Sequence, residues 1–414
     1  MVSHLEKLIS HYQNALIIKP DSASIHSSIG NLYATQKEFE KAVYHYIKSI
    51  QFNPSCGSVY YCLRYALLSL NWFSTSNNTT IIEEGVLILR QVVNSQPDFY
   101  FASVVLGVLL EHQGKTNEAI ACYQSASYRQ TLLSHPQLTR EFWNCGQSRQ
   151  PDFLILGFPK CGTTSLYAYL ASHPNVLPAI TKEILYFTHS TTKNIEYYLA
   201  HFPCITDAKY ITGEASPSYI MFPNIAQRVF NWFPNIKLII LLRNPADRTI
   251  SSYYHRFKYL RCDNREIEYI IARSIEQVTD TLDKFVTLLK LKTEPVEFMR
   301  NILKNNLWMS DENEILSDLI GNLYIYYIKE WLNVFPENQI LIVKSENLFN
   351  NPSESMREIY DFLDLPDHPL LEYPNFNPNS YSSISSHSRQ QLIDFFRPYN
   401  QQLEEYLGMK FDWK

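Results

Sequence analysis

The residues best suited to chemistry lie in Leu154–Leu170, LILGFPKCGTTSLYAYL. Gly157 and Gly162 have the G-x-x-x-x-G spacing of a phosphate-cradling loop, in which small residues let backbone N–H groups turn toward an anion at a helix N-terminus. In a nucleotide-triphosphate loop the next residue is a lysine that reaches the β- and γ-phosphates. Here that place holds Thr163, and the lysine is Lys160, three residues earlier and inside the loop. Cys161, Gly162, Thr163, Thr164 and Ser165 complete a candidate anion cradle. With no strand ending in an obvious Walker-type aspartate, a P-loop kinase or NTPase is the weakest of the readings kept open.

A second anion site is legible in LIILLRNPADRTISSYYHRF. Arg243 closes an apolar run, Asn244 is a helix cap, Pro245 suits a first helical turn, and Ser251 and His255 stand four residues apart on one helical face. A strand-end arginine alone is as often a structural ion pair, and a lone helical histidine is more often packed or solvated. The two loops together are more specific than either.

Four short, nearly continuous apolar runs must position these residues: Phe153–Gly157, Tyr210–Glu214, Lys237–Arg243 and Gln339–Glu346. Separated by helical stretches, they predict a parallel sheet with helices on both faces and ligands beyond the carboxyl ends of its strands. The N-terminal part follows another pattern. ISHYQNALIIKP (Ile9–Pro20) and VYHYIKSIQFNP (Val43–Pro54) superpose at an offset of 34, matching His11 with His45, Tyr12 with Tyr46 and Pro20 with Pro54. A third copy ends at Pro97, delayed by an insert around STSNN, and a fourth carries Leu106, Gly107, Gly114, Ala119, Tyr123 and Ala126. These copies resemble tetratricopeptide repeats, helical hairpins that share a core by stacking and present a groove for a peptide or partner protein. The Tyr, Ala and Gly positions read as packing.

With 45% apolar and 19% charged residues in 414, the chain has the composition of soluble globular protein, and a net charge of -5 argues against a dedicated nucleic-acid binder. The first twenty residues carry charges where a signal peptide needs an apolar run, and no later segment approaches membrane-spanning length, so a cytoplasmic protein without a membrane span is expected. Seven cysteines, odd in number and without C-x-x-C spacing, indicate neither a disulfide framework nor a zinc site.

PKCGTTSLYAYLASHP, KEILYF, LLRNPADRTISSYYH and the C-terminal SRQQLIDFFRPYNQQLEEYLG…FDW resemble the sulfotransferases that use 3′-phosphoadenosine-5′-phosphosulfate (PAPS), in particular the heparan-sulfate N- and 3-O-sulfotransferase type. The resemblance covers about Phe153–Trp413. Together with the N-terminal repeats it implies an α+α/β architecture: an all-α repeat solenoid over 1–135, a linker over 136–151 and an α/β, P-loop-like parallel-sheet sulfotransferase domain over 152–414. It also implies that Lys160 contacts the oxygen bridging phosphate and sulfate, that Arg243 and Ser251 take the 3′-phosphate, and that Glu183 of KEILYF is the base, flanked by Lys182. His255 is implied near the acceptor. Glu214, in GEASPSYIMF, matches a segment lining the acceptor cleft, with Ala215 where relatives carry lysine. No metal is required by such chemistry. The closing loop of relatives, lysine-glycine-arginine and often flanked by a disulfide, is replaced by NFNPNSYSSIS (Asn375–Ser385), where Tyr381 is the donor-binding candidate. Arg389, Arg256 or Lys258 are candidate substitutes for the missing cations. The missing bridge agrees with a reducing compartment. The reading that follows is a PAPS-dependent sulfotransferase acting on a hydroxyl or amine of a carbohydrate, small molecule or protein, its repeats docking the acceptor or a partner. The alternative is a tetratricopeptide scaffold whose sulfotransferase domain no longer turns over.

Overall fold

A computed structural model describes residues 2–73, 79–144, 149–189, 194–205, 207–256, 264–292, 297–298, 301, 314–376 and 384–413. The chain divides into two compact units, Met1–Arg149 with Lys193–Asp207, and Gln150–Thr192 with Ala208–Lys414.

The first unit is helical. Its helices are α1 (Val2–Ile18), α2 (Ala23–Thr35), α3 (Phe39–Phe52), α4 (Gly57–Phe73), α5 (Thr79–Ser95), α6 (Tyr100–His112), α7 (Thr116–Ser134) and α8 (Pro136–Phe142). Glycine allows neighbouring helices to approach. A Cβ on Gly30 of α2 would lie 2.6 Å from the ring of Tyr46 on α3, and one on Gly107 of α6 would lie 2.5 Å from the ring of Tyr123 on α7. The same glycine-against-tyrosine contact thus recurs at the same sequence spacing in two hairpins. Leu106, Ala119, Tyr123 and Ala126 are buried, and Gly114 turns the chain at φ 72° between α6 and α7. The insert around STSNN lies outside the described residues.

The short helix Ile195–Leu199 belongs to this unit. Tyr197 Oη lies 3.0 Å from Tyr123 Oη and also hydrogen-bonds the Glu111 carboxylate. Arg149 Nη1 donates to Ile205 O at 2.7 Å, which ties the returning segment down.

α2 and α3 also enclose a histidine pair, with His26 Nδ1 3.0 Å from His45 Nδ1. His26 Nε2 faces the carbonyl of Pro20 at 3.2 Å and must donate to it, so in the neutral ring Nδ1 accepts from His45. Burial, and then the neighbouring His26, holds His45 down to about 4, from an ordinary value of 6.5. Burial likewise lowers His26, with Lys48 adding to the shift.

The second unit contains one parallel sheet: β1 (Phe153–Gly157), β2 (Val176–Pro178), β3 (Ile211–Glu214), β4 (Lys237–Leu242) and β5 (Ile340–Lys344), in the order β2-β3-β1-β4-β5. The four runs expected as strands are β1, β3, β4 and β5. β2 was not expected, because three residues of Val-Leu-Pro carry too short a pattern to read. All five β1 residues are buried, as its central place requires. The chain leaves β1 for β2 and β3 on one side and then crosses to β4 and β5 on the other. The crevice between the ends of β1 and β4 is therefore the topological switch point, where open α/β sheets bind ligands.

Two predictions test these packings. Gly107→Ala should lose about 1–3 kcal/mol in urea unfolding, because the Tyr123 ring is enclosed and cannot swing away. Gly57→Ala, with nothing within 4 Å of its Cβ, should be neutral or slightly stabilising. The second concerns the histidines. Because the folded value of His45 is depressed, the unfolded chain takes up the proton first, and the stability is complete above about pH 6.5 and lost as pH falls toward 4. Thermal midpoints should drop over that window, and His45→Gln should flatten the dependence.

Candidate active site

Three segments meet the carboxyl edge of the sheet. The first follows β1. Gly157 pairs with Leu241 and has φ 132°, and a Cβ there would be 2.7 Å from Leu241 N, a backbone atom that cannot yield. Gly162, at φ 90°, caps the helix α9 (Thr163–Ala171), and a Cβ there would be 2.8 Å from the ring of Phe349. Between them Lys160 adopts φ 73°, a left-handed conformation rare for a residue with a side chain. The loop backbone is held residue by residue. Phe158 N donates to Leu241 O at 3.4 Å, and Cys161 N to Phe158 O at 3.2 Å. Arg248 Nε donates to Pro159 O at 2.7 Å, Arg243 Nη1 to Lys160 O at 3.1 Å, and Ser345 Oγ to Cys161 O at 2.7 Å.

These bonds decide what the loop can offer a ligand. Cys161 is fully buried and burial pushes its thiol up, so it presents backbone only. Thr163 and Ser165 are buried on the first turn of α9, while Gly162, Thr164 and Lys160 are half-buried. The N-terminus of α9, directly after Lys160 in the chain, is of the kind that suits an anionic oxygen.

The second segment follows β4. Asn244 Oδ1 accepts from Ala246 N at 2.9 Å and starts the helix Pro245–Arg256, while Asn244 N donates to Glu346 Oε1 at 2.7 Å. Arg243 is half-buried and stands 5.8 Å from the centre of the Phe349 ring. Ser251 is buried on the same helix, and His255, one turn on, is exposed. The Arg243 bond to Lys160 O brings the two anion motifs side by side.

The third segment runs from β2 to the end of β3. Thr181 Oγ1 donates to Glu183 O at 3.0 Å, and Ala215 N to Lys182 O at 2.9 Å. Lys182 Nζ donates to Glu183 Oε1 at 2.6 Å, with 42% of the Glu183 side chain exposed. Glu214 is fully buried instead. Its carboxylate accepts from Ile184 N at 3.0 Å, Ser216 Oγ at 2.5 Å and Tyr219 Oη at 3.0 Å, and Ser216 Oγ in turn accepts from Leu185 N at 3.2 Å. Burial first, and then the Glu214 charge, holds the Tyr219 phenol well above its usual value, so it stays protonated and donates. Glu214 thus anchors the turn that carries Glu183, and Ala215 beside it is fully buried.

The structure therefore brings the Lys160, Cys161, Gly162, Thr163, Thr164 and Ser165 loop together with Arg243 at the ends of β1 and β4, leaves Ser251 buried farther along the helix after β4, and sets Lys182, Glu183 and Glu214 along the same sheet edge. Arg389 Nη2 pairs with Asp247 Oδ1 at 3.1 Å, on the helix that follows β4. Tyr381, Lys258, Cys262 and the Asn379–Ser380 pair lie outside the described residues, as does the side chain of Arg256. Sequence reading missed Arg248, Ser345, Asn322 and Glu346. The signal was partly present, since Arg248 sits in the same motif as Arg243. Among the described residues no group of His, Cys, Asp or Glu is placed to hold a metal ion.

Residues 150–399 match the family model described as Sulfotransferase domain. The chain belongs to the sulfotransferase family, a class of enzymes. It is 28% identical over 316 residues to the membrane-associated sulfotransferase kil1 of Dictyostelium discoideum, a match covering 64% of this chain and 66% of that protein. It is 27% identical to the bifunctional heparan sulfate N-deacetylase/N-sulfotransferase 1 of Caenorhabditis briggsae, over 66% of this chain and 32% of that protein. It is also 25% identical to the heparan sulfate glucosamine 3-O-sulfotransferase 3B1 of Mus musculus, over 66% of this chain and 67% of that protein. The chain thus spans under two thirds of the length of the first two of these relatives. The expectation of a cytoplasmic protein does not stand: among its relatives is a membrane-associated sulfotransferase, and the polarity of a chain's first residues does not fix its compartment. Among the described residues no helix is long and apolar enough to cross a membrane.

Glu214→Ala should remove the acceptor of three buried hydrogen bonds and lower unfolding stability by about 2–5 kcal/mol. Glu214→Gln, which keeps the shape but brings an amide donor toward a donor, should fall between that variant and the parent.

Proposed function

We propose that this chain transfers a sulfuryl group from PAPS to a hydroxyl or amine acceptor. One observation carries the reading: the bond from Arg243 to Lys160 O joins a strand-end cation to the glycine loop, so one ligand can be held at two phosphates. The α9 N-terminus and Lys160 suit the 5′-phosphosulfate, and Arg243 with Ser251 suits the 3′-phosphate. Nothing in this set is built for a β,γ-phosphate or its magnesium, which accounts for the lysine's place inside the loop.

The residues divide the reaction between them. Glu183 accepts the proton of the acceptor O–H or N–H as the acceptor attacks sulfur. A new S–O or S–N bond forms, and the bond from sulfur to the bridging phosphate oxygen breaks. The electron pair and its charge go to the departing phosphate, beside Lys160, where a preorganised cation lowers the barrier. The half-exposed Lys182–Glu183 pair contributes little to stability, so Glu183 exchanges its partner at small cost. His255 and Lys182 are assigned to the acceptor, and Tyr381 of the substituted closing segment is assigned to the donor on the sequence alone. The relatives named for heparan sulfate make a sugar hydroxyl or amine the leading acceptor, although Ala215 removes a cation suited to a polyanion. The helical unit, similar in period and packing to tetratricopeptide repeats, docks the acceptor or a protein partner.

The test is turnover of labelled PAPS with a panel of sugar, amine and phenol acceptors. Glu183→Gln should lower kcat by about 10²–10⁴ and Lys160→Ala by about 10²–10³. Arg243→Ala should weaken the 3′,5′-bisphosphate product while leaving adenosine 5′-phosphosulfate nearly unaffected. Glu183→Gln and Lys160→Ala proteins as active as the parent would refute the mechanism.

A further inference from the structure

Arg248 lies on the first turns of the helix after β4 and is 3% exposed. Its Nε donates to Pro159 O at 2.7 Å, its Nη1 donates to Asn322 Oδ1 at 2.7 Å, and its guanidinium carbon stands 5.2 Å from the centre of the Phe158 ring. Among the described residues no carboxylate pairs with it. A guanidinium withdrawn from water without a counter-ion is unfavourable, so its presence must be offset by what it holds.

What it holds is the peptide leading into Lys160. The left-handed φ of 73° there costs about 1 kcal/mol, and such a conformation persists only where the surroundings over-determine it. Arg248 takes the carbonyl of Pro159, and Arg243 takes the next one, that of Lys160. Consecutive carbonyls of the loop are therefore gripped by two guanidinium groups from one short segment. The far side of the Arg248 fork is fixed as well. Asn322 is 1% exposed, and its Nδ2 donates to Thr249 Oγ1 and to Asp318 O, each at 2.8 Å. That leaves Oδ1 with one direction, toward Arg248.

We infer that Arg248 is a positioning residue for sulfuryl transfer: by locking the Pro159–Lys160 backbone in its left-handed turn it aims the Lys160 ammonium at the breaking S–O bond. The inference rests on the role given to Lys160 in the proposed function. In this role Arg248, 3% exposed, acts through the loop backbone and through Lys160.

A double-mutant cycle tests it. Arg248→Met and Arg248→Lys are made alone and with Lys160→Ala, and each is assayed for kcat and KM with PAPS and for unfolding midpoint. Arg248→Met should lower kcat by about the factor seen for Lys160→Ala, roughly 10²–10³, with acceptor KM little changed. The double variant should be no slower than Lys160→Ala alone, because both changes remove one interaction. Arg248→Lys should recover part of the loss, since an ammonium reaches one of the two acceptors but cannot span both. Losses that multiply in the double variant, or a folded Arg248→Met with parental kcat, overturn the inference and leave sulfuryl transfer standing. Where Arg248→Met does not fold, the cycle is read with Arg248→Lys, and multiplying losses or an unchanged kcat overturn it in the same way. A parent that does not turn over PAPS refutes the proposed function and this inference together.

Discussion

The site depends on the parallel register of β1 and β4. Gly157 lies opposite Leu241 with no room for a Cβ between them, so the two strands end level and close together. Only then does Arg243, one residue past β4, reach the carbonyl of Lys160. A slip of one residue would turn every β4 side chain to the opposite face and carry Arg243 away from the crevice. Buried side chains along both strands hold the register, so hydrophobic packing within the sheet sets the distance between two charged motifs.

From that junction a layer of hydrogen bonds runs along the carboxyl edge. Ser345, immediately after β5, holds Cys161 O, and its neighbour Glu346 accepts from Asn244 N with one oxygen and from Trp413 Nε1, at 3.4 Å, with the other. Trp413 stacks on Phe411 with ring centres 4.3 Å apart, so residues near the end of the chain support the capping residue of the helix after β4. The loop after β1 is thus held by groups from β4, β5 and the C-terminal segment. A strained turn at Lys160 can survive in such a frame, because relaxing it would break several bonds at once.

Two carboxylates at neighbouring strand ends illustrate how environment separates roles. Glu214 accepts from three donors and has no exposure, which makes it a fixed support. Glu183 stands in a half-exposed ion pair with its own neighbour in sequence, an interaction worth at most about 1 kcal/mol. The first is expensive to disturb and the second is not. That contrast suits Glu183 to exchanging a proton with a bound acceptor, the part given to it in the proposed function.

The amino-acid sequence by itself determined the local features, because these rest on residues close together in the chain. Strand runs show as β-branched apolar stretches, the loop as glycines at fixed spacing, and the helix after β4 as Asn-Pro following an arginine. The helical hairpins show as Gly and Tyr at a repeated interval. β2 escaped because three residues carry no period. Only the tertiary structure decided which carbonyls Arg243 and Arg248 hold, that Ala215 is sealed in the interior, and that Ser251 is buried where His255 is exposed. It also showed Glu214 as an internal anchor and Ile195–Leu199 as part of the helical unit, although the family match runs through that segment. The physical reason is common to all of these. Propensity and periodicity act over a few residues, whereas hydrogen-bond partners and burial are set by strand order and register, which bring together groups separated by 31 residues for Leu185 and Ser216, 89 for Arg248 and Pro159, and 184 for Ser345 and Cys161.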